Sequence, residues 1–327
     1  MSNKNIKSLA VLTSGGDSPG MNCAIRSVVR TAIHQGIKPV GVMRGYQGIL
    51  DKDFKEMNES SVGNILQRGG TILKTSRCLE FHQAQTRKQA ADNLKQAGID
   101  GLVVIGGDGS FNGAHLLSSE NDIPVIGIPG TIDNDISGTN YTIGFDTAVQ
   151  TALEAVDKIR DTASSHNRIF VVEVMGRNSG AIALHVGVGC GAENILFPDQ
   201  EIQYDEVIKD MERGRSRGKD SSILIVAEGH VSGRSYEIQK TLKEKYQIRS
   251  RVCILGHTQR GGSPTALDRY LASRMGHEAV LGFKNYQSPL ASVFVEGEIC
   301  LAPLSECLGK RNTVETKLSE MARILAI

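Results

Sequence analysis

The sequence predicts a layered α/β fold, and three observations predict it. Short, nearly continuous apolar runs rich in β-branched residues recur along the 327 residues, as expected of strands buried on both faces of a parallel sheet. Amphipathic helical patterns lie between most of these runs, which indicates βα units. Glycine occupies 36 of 327 positions, about 11% against a usual ~7%, and it suits tight turns where the backbone approaches a ligand.

The predicted strands and helices alternate along the chain. The apolar runs predict strands at 9–12, 102–105, 125–128, 169–174, 223–227 and 252–255. Apolar residues at i, i+3, i+4 and i+7 predict helices over 25–33, 149–159 and 314–325. A helix that begins near Phe145 is the predicted crossing point between two lobes.

The composition excludes several classes of protein. Lysine and arginine total 37 and aspartate and glutamate total 36, so the net charge of +1 lacks the basic excess of a dedicated nucleic-acid-binding protein. Six cysteines without CxxC spacing predict neither a zinc site nor a disulfide scaffold and suit a reducing compartment. The longest stretch free of Lys, Arg, Asp and Glu, 178–192, is shorter than the ~18 residues of a membrane span. The N-terminal apolar run is too short for a signal peptide, so we expect a cytoplasmic protein that binds neither nucleic acid nor membrane.

The segment TSGGDSPGMN follows the first predicted strand and opens a helix. Gly15 and Gly16 allow backbone N–H groups to approach a ligand, and Pro19 suits the first helical position. A helix N-terminus at this point favours a bound anion. The alternative is an ordinary strand-to-helix turn that contains two glycines.

The segment GGDGS at 106–110 directly follows the predicted strand LVVI. The dinucleotide fingerprint GxGxxG fails here by one residue, because Asn112 stands where the third glycine is needed. A carboxylate beside a phosphate is repulsive unless a cation lies between them, so Asp108 is predicted to bind Mg²⁺ directly or through water. The alternative is an aspartate that caps the next helix.

The segment PGTIDND at 129–135 also follows an apolar strand. Asp133 and Asp135 lie two positions apart in a predicted loop, where they could serve as a general base and its neighbour or bind a metal. The alternative is an Asx turn. Because ligands of open α/β sheets bind at the carboxyl ends of strands, the three loops together predict a binding site.

Basic side chains follow a KTS segment and flank the later predicted strands, where they suit a substrate that carries phosphate groups. The alternative for each of them is a solvated or ion-paired surface residue. These candidates are Arg77, Arg168, Arg177, Arg251, His257 and Arg260.

Five segments, TSGGDSPGMN, GGDGS, PGTIDND, VVEVMGR and GHTQRGGSP, resemble the bacterial ATP-dependent 6-phosphofructokinases in sequence and order, over roughly residues 9–279. The resemblance implies two Rossmann-like three-layer αβα lobes with the active site in the cleft between them. Residues 1–145 plus 258–310 would form the ATP-binding lobe, and 146–257 plus 311–327 the lobe that binds fructose 6-phosphate. The implied reaction is a step of glycolysis that transfers the γ-phosphoryl group of Mg²⁺-bound ATP to the 1-hydroxyl group of fructose 6-phosphate, giving fructose 1,6-bisphosphate and ADP.

The resemblance also implies roles for the residues that match the family's motifs. Asp133 matches the catalytic base, and the implied catalytic set is Gly15, Thr131, Asp133, Asp135 and Arg177. Asp108 matches the Mg²⁺ position, and the ATP contacts match Gly16, Arg77, Cys78, Gly107, Asp108, Gly109 and Ser110. The sugar-phosphate contacts match Thr131, Asp133, Met175, Gly176, Arg177, Glu228, His257 and Arg260. Arg168 and Arg251 match residues that reach into the site of a neighbouring subunit of a homotetramer.

An effector site is also predicted. Arg26 and Arg30 lie one helical turn apart, off the apolar stripe, where like charges cost a helix a few tenths of a kcal/mol that a bound phosphate would relieve. The resemblance implies that Arg160, Glu193, Arg217 and Lys219 join them to bind ADP and phosphoenolpyruvate, with Glu193 on the Mg²⁺ of ADP. Glu59 stands where well-known members have an arginine, which leaves the strength and sign of regulation open. The alternative is a basic surface that binds no effector.

Three other functions are kept as alternatives. Other kinases built around a GGDG loop, such as NAD or lipid kinases, lack PGTIDND and GHTQRGGSP in this arrangement. Pyrophosphate-dependent relatives typically carry Asp at the position of Gly109 and Lys at that of Gly130, whereas glycine at both positions leaves room for a nucleotide. A sugar-phosphate sensor without catalysis would not need Asp108, Thr131 and Asp133.

Overall fold

The computed structural model describes residues 6–165, 168–198, 200–219, 221–309 and 316–325. Within these ranges the chain divides into two compact units. The first holds the described residues of 1–131, 135–146 and 260–311, and the second holds those of 132–134, 147–259 and 312–327. Each unit is built on its own β-sheet.

Helices and strands alternate along most of the chain, as βα units require. The strands are β1 (Ser8–Ser14), β2 (Lys38–Val42), β3 (Phe54–Glu56), β4 (Gly101–Gly106), β5 (Val125–Pro129), β6 (Ile169–Val174), β7 (Asn194–Leu196), β8 (Ser222–Ala227), β9 (Ser250–Ile254), β10 (Leu290–Val295) and β11 (Glu298–Pro303). The helices are α1 (Met21–His34), α2 (Gly45–Leu50), α3 (Ala84–Gln96), α4 (Asp108–Asn121), α5 (Phe145–Ser164), α6 (Ala181–Cys190), α7 (Tyr204–Ser216), α8 (Arg234–Tyr246), α9 (Ala266–Gly282) and α10 (Thr316–Leu325).

The first unit has a seven-stranded sheet in the order β11-β10-β5-β4-β1-β2-β3. Strands β2, β1, β4, β5 and β10 run parallel, whereas β3 and β11 pair antiparallel at the two edges. Alternate residues of the central strand enter two separate cores. Leu9 and Val11 pack with α1 and α9, while Ala10 and Leu12 pack with α3 and α4. Burial on both faces explains why these strands are continuous apolar runs.

The second unit has four parallel strands in the order β7-β8-β6-β9. Leu224 and Val226 of β8 share a buried core with Val207 of α7 and Leu242 of α8. Helix α6 also contacts β7 and β8. Both units are therefore mixed α/β structures whose sheets are mainly parallel, and the predicted fold class is confirmed.

The six predicted strands are all present, each within two residues of its predicted bounds. The predicted helices 25–33 and 149–159 lie inside α1 and α5, and α10 covers the described part of 314–325, whose first two positions lie outside the described residues. The apolar pattern did not predict β2, β3, β7, β10 and β11. Strands β3 and β7 have only three residues each, β2 contains proline and glycine, which strands disfavour, and β10 and β11 are partly exposed near a sheet edge.

The prediction that Pro19 opens the first helix is wrong. Helix α1 begins at Met21, and Gly20 before it has φ 103°, a left-handed conformation that a right-handed helix does not contain. A Cβ at Gly20 would lie 2.7 Å from Cγ2 of Ile143, so this turn is shaped by close packing of two loops. Separately, no helix within the described ranges combines the length and apolar character that crossing a bilayer requires.

Candidate active site

Three of the predicted loops leave the first sheet side by side. In the register of the parallel strands, Ser14 pairs with Gly106, and Gly106 pairs with Pro129. The loops that follow β1, β4 and β5 therefore begin in one row, at the carboxyl ends of these strands. Open α/β sheets bind ligands at this end of their strands.

The loop after β4 runs directly into α4. Gly107 is the N-cap residue, and Asp108 is the first residue of the helix, with its carboxylate exposed and not acting as the cap. The described residues contain no cluster of three or more His, Cys, Asp or Glu that could hold a metal by itself. Mg²⁺ usually binds through one or two carboxylates and completes its shell with water and substrate phosphates. An exposed carboxylate at a helix N-terminus fits that donor set.

Gly109 and Gly130 are surrounded differently. No heavy atom lies within 4 Å of the position that a Cβ at Gly109 would take, and Gly109 is exposed. A Cβ at Gly130 would lie 2.9 Å from Cγ2 of Ile105 and 3.2 Å from Cε of Met21. The space beside Gly109 is therefore available to a ligand, whereas glycine at 130 is already required by packing inside the first unit.

The loop after β1 begins with two exposed glycines, Gly15 and Gly16. Gly15 has φ +84°, a left-handed conformation that favours glycine, and a Cβ there would lie 3.3 Å from Oγ of Ser110. A side chain at Gly16 would collide with the guanidinium of Arg260, whose Nη1 donates to the carbonyl of Asp17 at 3.2 Å. The structure thus brings together three candidates from distant parts of the sequence: Gly15, Ser110 and Arg260.

An irregular segment at 66–77, here called the strap, is fastened to this loop. The buried amide of Asn22 donates to the carbonyl of Arg68 at 2.9 Å and accepts from the N–H of Ile72 at 2.8 Å. Thr75 donates its hydroxyl to the carbonyl of Gly15 at 2.6 Å. The strap ends at the candidate Arg77, two residues after Thr75, and the side chain of Arg77 is exposed.

Cys78 follows the strap and is half-buried. Burial raises the pKa of its thiol above the ordinary value, so the thiol is protonated at neutral pH. The residue is therefore suited to packing against a ligand rather than to attack as a thiolate.

The loop after β5 contains the candidates Thr131, Asp133 and Asp135. The carbonyl of Thr131 accepts from Oγ1 of Thr142 at 2.6 Å, which fixes the chain where it leaves the first unit. Asp133 belongs to the second unit and is only 4% exposed, while Asp135 is half-buried. Asn134 between them has φ +48°, so the two carboxylates lie on a tight left-handed bend of irregular backbone.

In the second unit, five of the predicted sugar-phosphate residues follow the carboxyl ends of strands: Met175, Gly176, Arg177, Glu228 and His257. The strands end in register, with Val174 beside Ala227. The N–H of Arg177 donates to a carboxylate oxygen of Glu228 at 3.2 Å, and the N–H of Met175 donates to Oε1 of Gln259 at 2.9 Å. Gly176 lies between those two donors, and His257 lies exposed in the turn after β9.

Arg168 and Arg251 lie at the other end of the strands of the second sheet, the amino end. Arg168 directly precedes β6, and Arg251 pairs with Phe170 near the amino end of that strand. Five residue steps separate Ile169 from Val174, a rise of about 17 Å. Within one chain the backbones of these two arginines therefore lie well away from the residues that follow β6.

Part of the predicted effector site comes together in the second unit. The buried carboxylate of Glu193 lies 3.1 Å from Nζ of Lys219 and accepts from the N–H of Ile223 at 2.6 Å. Arg160 donates to the carbonyl of Cys190, three residues before Glu193. Of the remaining candidates, Arg217 is exposed in the second unit, and Arg26, Arg30 and Glu59 lie in the first unit, where Arg26 is half-buried and the other two are exposed.

Four residues that shape these sites were not predicted from the sequence: Asn22, Thr75, Glu173 and Gln259. Glu173 is buried in β6 and accepts four hydrogen bonds from the turn that opens α8. Asn22, Glu173 and Gln259 lie inside the recognised motifs, and that position in the sequence was the signal that could have identified them. Thr75 lies outside those motifs and gave no signal.

Comparison with known proteins agrees with this geometry. A family model described as phosphofructokinase matches residues 8–282. The chain is 49% identical over 332 residues to the ATP-dependent 6-phosphofructokinase of Halothermothrix orenii, covering 98% of this chain and 100% of that protein. It is 49% identical over 322 residues to ATP-dependent 6-phosphofructokinase 1 of Thermus thermophilus, again covering 98% and 100%.

Solved structures give the same result. The phosphofructokinase of Saccharomyces cerevisiae matches with a TM-score of 0.86 and 39% identity over 92% of this chain, which spans 45% of the yeast chain. A pyrophosphate-dependent phosphofructokinase from Marinobacter aquaeolei matches with a TM-score of 0.82 but 21% identity, over 96% of this chain and 88% of that one. At that identity the second match shows likeness of fold alone.

Proposed function

This chain belongs to the phosphofructokinase family, and we propose that it transfers the γ-phosphoryl group of ATP to the 1-hydroxyl group of fructose 6-phosphate in cytoplasmic glycolysis. The products are fructose 1,6-bisphosphate and ADP. The observation that carries the proposal is the row formed by Ser14, Gly106 and Pro129, from which three phosphate-suited loops leave one sheet edge together. The names of the full-length relatives supply the substrates, ATP and fructose 6-phosphate.

In this proposal the first unit binds ATP. The phosphates lie against the backbone N–H groups of the loop after β1 and against the N-terminus of α4, where the helix dipole favours negative charge. Asp108 holds Mg²⁺, which neutralises charge on the phosphate oxygens when it is bound. The ATP contacts are Gly16, Arg77, Cys78, Gly107, Asp108, Gly109 and Ser110.

Catalysis then requires a base and stabilisation of developing charge. Asp133 accepts the proton of the attacking hydroxyl group, a role typically worth ~10² to 10⁴ in rate. Arg77 and the N–H of Gly15 stabilise the charge that develops on the transferred phosphoryl group, beside Thr131. Asp135 assists electrostatically.

The second unit binds the sugar phosphate. The N–H of Arg177 donates to Glu228 and the N–H of Met175 donates to Gln259, and these hydrogen bonds position the loop that presents Met175, Gly176 and Arg177. The guanidinium of Arg177 is exposed and suits a phosphate oxygen. His257 and Arg260 complete the contacts.

The proposed donor is ATP rather than pyrophosphate. An aspartate at 109 would place a carboxylate beside the α-phosphate of a nucleotide, whereas the open space beside Gly109 admits it. Gly130 no longer supports this argument, because packing against Ile105 already explains the glycine there. The donor assignment therefore depends on Gly109 and on the names of the relatives.

We also propose that the enzyme is a homotetramer with shared active sites. Arg168 lies six residue steps before Val174 at the carboxyl end of β6, and Arg251 pairs with Phe170, four steps before it, which are rises of about 20 Å and 13 Å. If these arginines bind sugar phosphate, they bind it in the site of another copy of the chain. Likewise, Arg26, Arg30, Arg160, Glu193, Arg217 and Lys219 are proposed to bind ADP and phosphoenolpyruvate as effectors.

The test is formation of fructose 1,6-bisphosphate from fructose 6-phosphate and Mg²⁺, measured in parallel with ATP and with pyrophosphate. Product with ATP alone supports the substrate, the donor and the interpretation of Gly109. Product with pyrophosphate overturns the donor. A folded protein that forms no product with either donor overturns the proposed enzymatic activity and favours a sugar-phosphate sensor.

A further inference from the structure

The hydroxyl of Thr75 donates a 2.6 Å hydrogen bond to the carbonyl oxygen of Gly15. Thr75 belongs to the strap, lies outside the recognised motifs and has no part in the reaction described above. Its partner is the first glycine of the loop that is proposed to hold the phosphates of ATP. The bond therefore connects a residue without an assigned role to the backbone at the centre of the site.

The peptide that Thr75 holds is intrinsically free to turn. It joins Gly15 to Gly16, and neither residue has a Cβ that would restrict rotation of the peptide plane. Gly15 has φ +84°, and both residues are exposed. A trans peptide is planar, so its C=O and its N–H point to opposite sides. The direction of the Gly15 carbonyl thus decides the direction of the Gly16 N–H.

The backbone that leads into Thr75 is itself anchored to β1. Oγ1 of Thr13 donates to the carbonyl of Lys74 at 2.9 Å and lies 2.9 Å from Oγ1 of Thr71. Lys74 has φ +57° and donates its N–H to the carbonyl of Thr71 at 3.2 Å, which closes a tight turn just before Thr75. Thr13 is fully buried, so this anchor is part of the strand core rather than of a loose loop.

We infer that Thr75 is a positioning residue for the phosphoryl donor. It holds the Gly15 carbonyl on the side of the strap, and the Gly16 N–H therefore points away from the strap, where it can donate to a phosphate oxygen of ATP. This inference rests on the proposed function, which assigns Gly16 to ATP. A donor already oriented before the nucleotide binds costs no reorganisation when charge develops.

The test compares Thr75→Val, which keeps the shape of the side chain and removes the hydroxyl, with Thr75→Ser, which keeps the hydroxyl. ATP binding is measured by calorimetry in the absence of sugar phosphate, together with kcat and both KM values. We expect Thr75→Val to weaken ATP binding and to lower kcat/KM for ATP by about tenfold, the size of one lost hydrogen bond. The KM for fructose 6-phosphate and the thermal midpoint should stay unchanged. Thr75→Ser should keep its ATP affinity and its kcat/KM for ATP within about twofold of wild type. Thr86→Val on α3 is the matched control.

Two outcomes overturn the inference. One is a Thr75→Val variant that binds and uses ATP as the wild type does. The other is a variant that loses stability and affinity for both substrates together and is not restored by serine, since that pattern describes a structural role of the strap. A wild-type chain that binds ATP but does not phosphorylate fructose 6-phosphate refutes the proposed function instead, and the ATP affinities of the two variants still decide the role of Thr75.

Discussion

The carboxylate of Glu193 is 1% exposed, and one of its oxygens lies 3.1 Å from Nζ of Lys219, whose side chain is 40% exposed. Removing the lysine leaves a buried negative charge that still accepts from the N–H of Ile223. We predict that Lys219→Ala lowers the free energy of unfolding by about 1–2 kcal/mol, less than for a fully buried pair because water still reaches the lysine. Urea unfolding measures this loss. A loss no greater than that of Lys209→Ala, an exposed lysine of α7, would contradict the prediction.

The effector proposal predicts a response to phosphoenolpyruvate. Titration at a subsaturating concentration of fructose 6-phosphate should change the rate or its cooperativity. Arg26→Ala and Arg30→Ala should each weaken that change, because each removes a cation from the phosphate site. No change in the wild-type rate or cooperativity would favour a basic surface that binds no effector, and Glu59→Arg tests whether the acidic residue sets the sign.

The proposed base predicts a large and specific loss of turnover. Asp133→Ser should lower kcat by at least a hundredfold, since a positioned base is worth roughly 10² to 10⁴ in rate. Circular dichroism and the thermal midpoint should show that the variant is folded. Asp92→Ser, an exposed aspartate of α3, is the control. A near-normal kcat in folded Asp133→Ser would remove this residue from its role.

Substitutions at Gly109 and Gly130 should have different consequences, one for the use of ATP and the other for stability. Gly109→Asp should fold normally, because nothing surrounds its Cβ position, and should depress the use of ATP far more than the binding of fructose 6-phosphate. Gly109→Ala separates the effect of the charge from that of the added carbon. Gly130→Ala should instead cost roughly 1–3 kcal/mol of stability by overpacking against Ile105. Unchanged ATP kinetics in Gly109→Asp would refute the donor argument.

The pair between Arg87 and Glu120 predicts a pH dependence of stability. Arg87 donates to both oxygens of Glu120 at 2.7 and 2.6 Å, and this hydrogen bonding lowers the pKa of the carboxyl below its ordinary value of 4.5. The stabilisation is therefore complete above pH 4.5 and is lost as the pH falls through the lowered pKa.

Comparing wild type with Glu120→Gln by urea unfolding at several pH values isolates this contribution. The difference in unfolding free energy should be largest near neutral pH and should shrink in acid. Glu298→Gln, which breaks a pair with Arg274 at a glutamate that is 80% exposed, should give a smaller difference. A difference for Glu120→Gln that does not depend on pH would show that the carboxylate is not held by Arg87.

The strand core and the site loops could be predicted from the sequence because their signals are local. A strand buried on both faces must be apolar at consecutive positions, as in 102–105, and a loop that admits a phosphate must have little side chain, as at Gly15 and Gly109. These requirements apply to residues that are neighbours in the chain, so a short stretch of sequence is enough to show them. The short strand at Asn194–Leu196 and the partly exposed strand at Leu290–Val295 carry weaker local signals and were missed.

By itself, the sequence determined the α/β class, six of the described strands and the loops that carry the candidate chemistry. Only the tertiary structure decided that Arg251 lies at the sheet edge opposite Met175, that packing rather than a nucleotide explains Gly130, and that Thr75 holds the carbonyl of Gly15. The reason is physical. Which distant residues meet depends on strand register, on the end of the strand at which a residue stands and on how a loop is anchored, and these are set by packing of the whole unit rather than by the pattern of any one segment.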